Sequence, residues 1–323
     1  MSHEENKKIS IVVPVFNELE SIEHFHKELI EVLSGIKVDY EVLYVNDGST
    51  DGSLSILSGL AGGRIKLISL SRNFGKEIAL SAGISNSNSD AVITIDSDGQ
   101  HPPKLIAQFI ENWEKGSKVV VGVRSGKSSK SLIGNLNSFL FYKLFNFLSS
   151  TKTVPGSTDY RLIDRLVVDE FVDLGEQDRM TRQLIDWLGF DHHYIYFNAK
   201  EREFGTPAYS TKKLIDLAFS AMISSSPKPL YLFANIGIGI TGLSFILGLS
   251  ILIEQLIFGD PLNWNFTGTA MLGIMIIFLV GIVLMSQGII SMYISRIYNQ
   301  SKGRPLYVID RSKSIGISPK KIS

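Results

Sequence analysis

The chain contains no cysteine. This excludes a disulfide scaffold, thiolate metal ligands and a cysteine nucleophile, and it leaves the redox compartment open. Neither sign of charge is in excess, because 32 Lys+Arg balance 32 Asp+Glu. No net field draws such a chain to nucleic acid, so no nucleic-acid partner is expected. The third absence is local: between Pro229 and Ser295 the only charged residues are Glu254 and Asp260. Pro229–Ile253 is thus 25 uncharged residues, and Pro261–Ser295 is 35 more. A helix needs roughly 20 apolar residues to cross a bilayer, so two spans are expected, at residues 229–256 and 268–295. Phe258 to Asn265 between them reads as a short interfacial loop with Trp264 at headgroup level. Glu254 reads as lying near the outer interface rather than as a functional carboxylate in the membrane. The loop also lacks Lys and Arg, whereas Lys212, Lys213 and Lys228 precede the first span and Arg296, Lys302, Arg304 and Arg311 follow the second. The positive-inside rule then places both ends in the cytoplasm. Met1 to Lys8 is polar, with no apolar signal region.

The first 200 residues carry a different pattern. Ile9–Val15, Tyr40–Val45, Ile65–Leu70, Ala91–Ile95 and Val119–Val123 are short β-rich runs. Helical stripes lie between them, as in Glu20–Leu33 with Ile22, Phe25, Leu29, Ile30 and Leu33, and in Lys76–Asn86. Such alternation predicts an α/β fold, a mainly parallel sheet with helices on both faces. Ligands of these sheets sit beyond the carboxyl ends of the strands. Four polar clusters fall there: Asn17-Glu18, Asn46-Asp47-Gly48-Ser49, Arg72-Asn73-Phe74-Gly75-Lys76 and Asp96-Ser97-Asp98-Gly99-Gln100. Asp96 and Asp98 project to one side of a strand end. Paired carboxylates suit Mg²⁺ or Mn²⁺, which can neutralise a diphosphate. His101-Pro102-Pro103 reads as the start of the next helix, and His192-His193 as surface or strand residues. Arg124, after the Val119–Val123 strand, is a candidate for holding a phosphate, with Lys127 and Lys130 nearby. Asp159 and, after it, Asp178 are further candidate acidic residues. As a structural alternative, Asp159 would be the N-cap of a helix from Arg161 onwards. The amphipathic stretch at residues 131–149 reads either as a core helix or as an interfacial one, and that at 209–228 is a second interfacial candidate.

The runs Val13-Pro14-Val15-Phe16-Asn17-Glu18, Val45-Asn46-Asp47-Gly48-Ser49-Thr50-Asp51 and Asp96-Ser97-Asp98-Gly99-Gln100-His101-Pro102-Pro103 resemble the nucleotide-sugar half of family-2 inverting glycosyltransferases with the Rossmann-like GT-A fold. Arg72 to Lys76 with Ala79 and Gly83, and Asp159 to Arg165, narrow the resemblance to polyisoprenyl-phosphate glycosyltransferases. These are relatives of dolichyl-phosphate mannose synthase, and the bacterial branch with two C-terminal spans matches over essentially the whole chain. The resemblance implies that Pro14, Asn17 and Glu18 line a uridine pocket, that Asp47 accepts from the uracil imide, and that Lys76 and Asp96 also serve the nucleotide sugar. It implies a Mg²⁺ or Mn²⁺ ion on Asp96, Asp98 and Gln100, and a phosphate clamp at Arg202. Within the resemblance Asp159, then Asp178, is the candidate acidic residue at the acceptor face, and Arg124 with Lys127 and Lys130 the candidate for the acceptor's lipid phosphate. The chain departs from the relatives' Gly-Glu-Ser-Lys-like loop, having Thr206-Pro207-Ala208-Tyr209-Ser210 after Arg202.

The implied organisation is a cytoplasmic domain at 1–208, a juxtamembrane amphipathic helix at 209–228, two spans within 229–298 and a cytoplasmic tail at 299–323. The implied reaction transfers a hexose, glucose first, from a UDP-sugar to undecaprenyl phosphate at the cytoplasmic face of a bacterial inner membrane. Mannose, galactose and amino-sugar donors are alternatives, as is a membrane-tethered nucleotide-sugar binder without turnover. Homo-oligomerisation stays open. A processive synthase is disfavoured, because Gln183-Leu184-Ile185-Asp186-Trp187 has Asp where those enzymes' Gln-x-x-Arg-Trp motif has Arg.

Overall fold

The computed structural model describes residues 7–125, 154–177, 179–198 and 268–317, with the isolated positions 235, 239 and 246. The expected alternation is present. β1 (Lys8–Val15), α1 (Ile22–Ser34), β2 (Asp39–Asn46), α2 (Ser53–Leu60), β3 (Ile65–Ser69), α3 (Lys76–Ser85) and β4 (Ala91–Thr94) follow in order. A 3₁₀ turn at Pro103–Leu105, α4 (Ile106–Glu114), β5 (Val119–Arg124), β6 (Ser157–Asp164), α5 (Arg165–Asp173), α6 (Thr181–Trp187) and β7 (His192–Phe197) complete this part. The seven strands form one sheet in the order β3-β2-β1-β4-β6-β5-β7. Only β6 runs antiparallel to its neighbours, β4 and β5.

The near-continuous apolar runs of β1 and β2 are what a sheet covered on both faces requires. Ile9, Ile11, Val13 and Val15 of β1 face one core with Phe25, Leu29, Phe109 and Trp113. Val12 faces the other, with Leu80, Val167, Phe171 and Leu184. In α1, Ile22, Phe25, Leu29 and Leu33 form the buried stripe, each worth about 2 kcal/mol of transfer free energy. α3 approaches the sheet closely: a Cβ on Gly83 would lie 2.3 Å from Val12 Cγ1.

Residues 157–164 correct one expectation. Asp159 is not a helix N-cap, because it lies within β6; the cap of α5 is Asp164, whose side chain accepts from Leu166 N. The run Thr158-Asp159-Tyr160-Arg161-Leu162-Ile163 alternates between two buried faces, which a helix cannot do. His101-Pro102-Pro103 does lead into a helical turn, and His192 and His193 open β7.

The described residues fall into two compact units. The first holds the sheet, its helices and residues 304–317, which follow the last helix and return to the sheet edge. Leu67 N donates to Ile315 O at 3.0 Å and Ile315 N to Leu67 O at 2.8 Å, while Ser71 N donates to Val308 O at 2.9 Å. Tyr307, Ile309 and Ile317 pack on the second core. This segment covers an edge strand that would otherwise expose unpaired backbone groups. In the second unit α7 (Gly268–Ser301) has 34 residues and is about 51 Å long. Its segment Leu279–Ser301 is long and apolar enough to cross a membrane, and Leu272, Ile276, Val283, Ile294 and Ile297 are exposed. The first expected span apart from positions 235, 239 and 246, the loop with Trp264, and the stretches 131–149 and 209–228 lie outside the described residues.

Candidate active site

The strand order reverses between β1 and β4, because the chain winds outward through β2 and β3 before returning to the other side of β1. A crevice opens at such a point, and Pro14 marks where it begins. Val12 is the last β1 residue paired with β4, and Ile95 N donates to Val12 O. Pro14 would present its next N–H to β4, but it has none. Its carbonyl instead accepts from Ser97 Oγ at 3.4 Å, and β4 departs into Asp96-Ser97-Asp98.

Side chains on one side of the crevice staple the loops after β1, β2 and β3 together. Asn17, at φ 54°, takes the left-handed conformation that Asn tolerates better than most residues. It donates N to Ser49 Oγ at 3.1 Å and accepts Thr50 N at 2.8 Å. Glu18 N donates to Ser53 Oγ, and Glu18 Oε2 accepts from Ser21 Oγ at 2.6 Å. Asp47 is buried and accepts Phe74 N at 2.7 Å and Gly75 N at 2.9 Å. Burial raises its carboxyl above the ordinary range, and the two backbone donors oppose that. Gly48 has φ +69°, and a Cβ there would lie 2.5 Å from the Arg72 carbonyl carbon. Only glycine lets the β2 loop sit against the β3 loop at that distance.

Charged groups gather on the other side. Lys76 Nζ, at the start of α3, lies 2.7 Å from Asp96 Oδ1 and 3.2 Å from Asp159 Oδ2. Because β6 is antiparallel, its first residues reach the same sheet edge as the ends of β4 and β5. Arg182 Nε, on α6, is 3.5 Å from Asp159 Oδ1. Burial alone would raise the Asp159 carboxyl, but Lys76, Arg182 and Arg161 outweigh it and hold the group below the usual carboxylate range. Burial likewise disfavours the Lys76 ammonium, and Asp96 and Asp159 more than compensate, raising it above the ordinary lysine range. Gln100 N donates to Asp98 Oδ1 at 3.1 Å. Arg124 Nη2, at the end of β5, donates to Gln100 Oε1 at 2.6 Å. The fold therefore brings Asp96, Asp98, Gln100, Lys76, Arg124 and Asp159 to one end of the sheet. Lys127, Lys130, Asp178 and Arg202 lie outside the described residues.

Sequence reasoning passed over four groups near this site. His101 is buried under Asp96, accepts Asp96 N at its Nδ1 at 3.3 Å, and stacks on Tyr160. Burial lowers its pKa against the pull of Asp96, so the ring is neutral near pH 7. Glu77 accepts Thr181 N at 2.8 Å and so holds the start of α6. Burial and then Asp159 raise its carboxyl. Arg182 stands beside the quoted Gln183–Trp187 run, but its reach to Asp159 depends on tertiary packing. Asp186, in place of the Arg of the processive motif, accepts from the buried Arg161 at 2.6 Å and pairs with His192 at 3.1 Å. A cavity of about 380 Å³ lined by Lys118, Asp191 and His193 lies at the opposite, amino-terminal ends of β5 and β7, away from this chemistry.

A family model, "Glycosyl transferase family 2", matches residues 10–172. The chain is also 37% identical over 315 residues to the uncharacterized glycosyltransferase YkcC of Bacillus subtilis, covering 97% of this chain and 96% of that protein. The chain belongs to glycosyl transferase family 2. Another relative in this family is the bactoprenol glucosyl transferase of Shigella phage SfV, 37% identical over 308 residues, with 95% of this chain and 99% of that protein covered. Among solved structures it is similar to glucosyl-3-phosphoglycerate synthase from Mycobacterium tuberculosis, in complex with Mn²⁺ and UDP-glucose. The TM-score is 0.48 at 20% identity, over 67% of this chain and 77% of that one. The family match spans β1 to α5 and so contains Asn17, Asp47, Asp96, Asp98, Arg124 and Asp159. Arg182 and Asp186 of α6 lie beyond it.

Proposed function

We propose that this glycosyltransferase moves a hexose, glucose in the first instance, from a UDP-sugar to a polyisoprenyl phosphate, with inversion at C1. The observation that carries the reading is the bridge from Asp96 through Lys76 to Asp159, which joins the strand-end carboxylate to the acidic residue expected at the acceptor face. Near-full-length relatives called bactoprenol glucosyl transferases support the choice of sugar and acceptor.

Asp96, Asp98 and Gln100 offer two carboxylates and an amide oxygen, hard donors that fit Mg²⁺ or Mn²⁺. Lys76 beside Asp96 and Asp159 already shows that the place favours positive charge. Among the described residues no group of three or more His, Cys, Asp and Glu side chains forms a metal cage. When bound, such an ion neutralises charge on the departing UDP.

In the step itself an acceptor phosphate oxygen forms the new bond to C1, and the bond from C1 to the UDP oxygen breaks with its electron pair. A phosphate monoester has a second pKa of about 6, so the nucleophile is anionic without a strong base. Asp159 is held ionised and is a weak base for that reason. Its role in this reading is to fix Lys76 and Arg182 where phosphate charge arrives. Arg124 serves the acceptor phosphate in this reading; Lys127 and Lys130 as its helpers and Arg202 as the diphosphate clamp are assigned from the sequence alone. Asn17, Glu18 and Asp47 shape the uridine side. The apolar C-terminal segments hold the enzyme at the cytoplasmic face of the bilayer that carries the acceptor.

The test uses full-length protein in detergent with undecaprenyl phosphate, Mg²⁺ or Mn²⁺ and labelled nucleotide sugars. Label from UDP-glucose extracted as an acid-labile monosaccharide lipid is the expected result. Label that stays in the aqueous phase for every donor, with a validated acceptor, would refute the proposal.

A further inference from the structure

Two of the chain's own cations rest on oxygens that the reading above gives to the divalent ion. Lys76 Nζ is 2.7 Å from one Asp96 oxygen and 2.8 Å from the other. Arg124 Nη2 is 2.6 Å from Gln100 Oε1. An ion bound about 2.1 Å from those oxygens would stand within a few ångströms of both cationic heads, where like charges repel strongly. Both side chains can leave without disturbing a core. Lys76 is 44% exposed at its side chain and follows Gly75, whose φ is +99°. Arg124 is exposed at the end of β5, after a bulge between Val121 and Val123. Two of the site's carboxylates already have cations of the chain beside them, since Lys76 faces Asp96 and Asp159 and Arg182 faces Asp159.

We propose that the site works by cation exchange: the divalent ion and the pair Lys76 and Arg124 exclude one another, and entry of the ion with its nucleotide diphosphate frees both side chains for phosphoryl groups. Resting on the proposed function, this makes Lys76 and Arg124 substrate-binding residues that couple donor binding to acceptor binding. A divalent ion alone adds uncompensated charge and binds weakly. Together with a diphosphate it brings its own counter-charge and binds well. Lys76, once displaced, turns to the donor diphosphate. Arg124, once off Gln100, turns to the acceptor phosphate, so the acceptor follows the donor.

The test is Mn²⁺ binding to full-length protein in detergent, followed by electron paramagnetic resonance without nucleotide or lipid. Losing one charged competitor should tighten Mn²⁺ binding about tenfold in Lys76→Met and in Arg124→Ala. The same variants should lose affinity for a phosphoryl ligand: Lys76→Met for UDP with Mn²⁺, and Arg124→Ala for farnesyl phosphate with Mn²⁺ and UDP. General damage to the site would weaken every ligand together, so opposite signs in one variant identify exchange. Arg124 is an exposed strand-end residue and provides the second variant should Lys76→Met fold poorly. Unchanged or weaker Mn²⁺ binding in the variants, while Asp98→Asn abolishes it, overturns the exchange and leaves the metal site standing. Mn²⁺ binding that survives Asp98→Asn removes the metal site itself and the exchange with it.

Discussion

Glu41 lies in β2 and is 2% exposed. Its carboxylate accepts from Lys8 at 2.7 Å, Lys66 at 2.8 Å and Ser10 at 2.6 Å, which ties β1, β2 and β3 together. Burial would raise its pKa, but the bonds from Lys66, Lys8 and Ser10 lower it from 4.5 to about 2. A depression of that size corresponds to roughly 3 kcal/mol. The lysine side chains keep 32% and 28% of their exposure, so solvent screening reduces the expected value to about 2 kcal/mol. Because the folded pKa is the lower one, the stabilisation is present in full above pH 4.5 and disappears as pH falls toward 2. Glu41→Gln should therefore lower Tm by about 4–8 °C at pH 7. Its stability should also fall less steeply than the wild type's between the two values. Thermal unfolding of both proteins in detergent, followed by near-UV circular dichroism across that pH range, makes the comparison. Equal Tm at pH 7, or parallel pH curves, would refute the argument.

The remaining predictions concern the site and its supports. Asp159→Asn releases Lys76 and Arg182 from their shared carboxylate, so kcat for lipid glycosylation should fall by about 10² or more. UDP binding, measured by calorimetry, should change far less. Gly48→Ala forces a Cβ against the Arg72 backbone at positive φ, and it should cost more than about 1 kcal/mol. UDP affinity should drop with it; unchanged affinity and Tm would contradict the close packing of the two loops. Asp186→Ala strands the buried Arg161 guanidinium, and a loss of about 3–5 kcal/mol in thermal or denaturant unfolding is expected. Gly83→Ala overpacks α3 against Val12 and should lower stability by about 1–3 kcal/mol without altering the pH profile of transfer.

Much of the site was legible along the chain because the α/β alternation places each loop after its own strand. Asn17, Asp47, Lys76, Asp96 and Asp98 each follow a recognisable β run, and strand polarity alone sends them to one edge. The apolar C-terminal helix was legible for a simpler reason: charge is absent over more than the length a bilayer requires. Other features are decided by contacts between residues far apart in the chain. Asp159 meets Lys76 across 83 positions, and only the antiparallel entry of β6 brings its first residues to the edge where the parallel strands end. A buried arginine in β6 needs a counter-ion, and Asp186 supplies it from α6. That explains a departure from the processive motif that the sequence showed without its cause. The return of residues 304–317 to β3 has no local signature either, because the need it meets is the open edge of a strand some 240 positions earlier, with Ser69 N bonded to Ser314 Oγ. Local periodicity and strand polarity determined which residues could share an edge; packing across the sheet decided which of them touch.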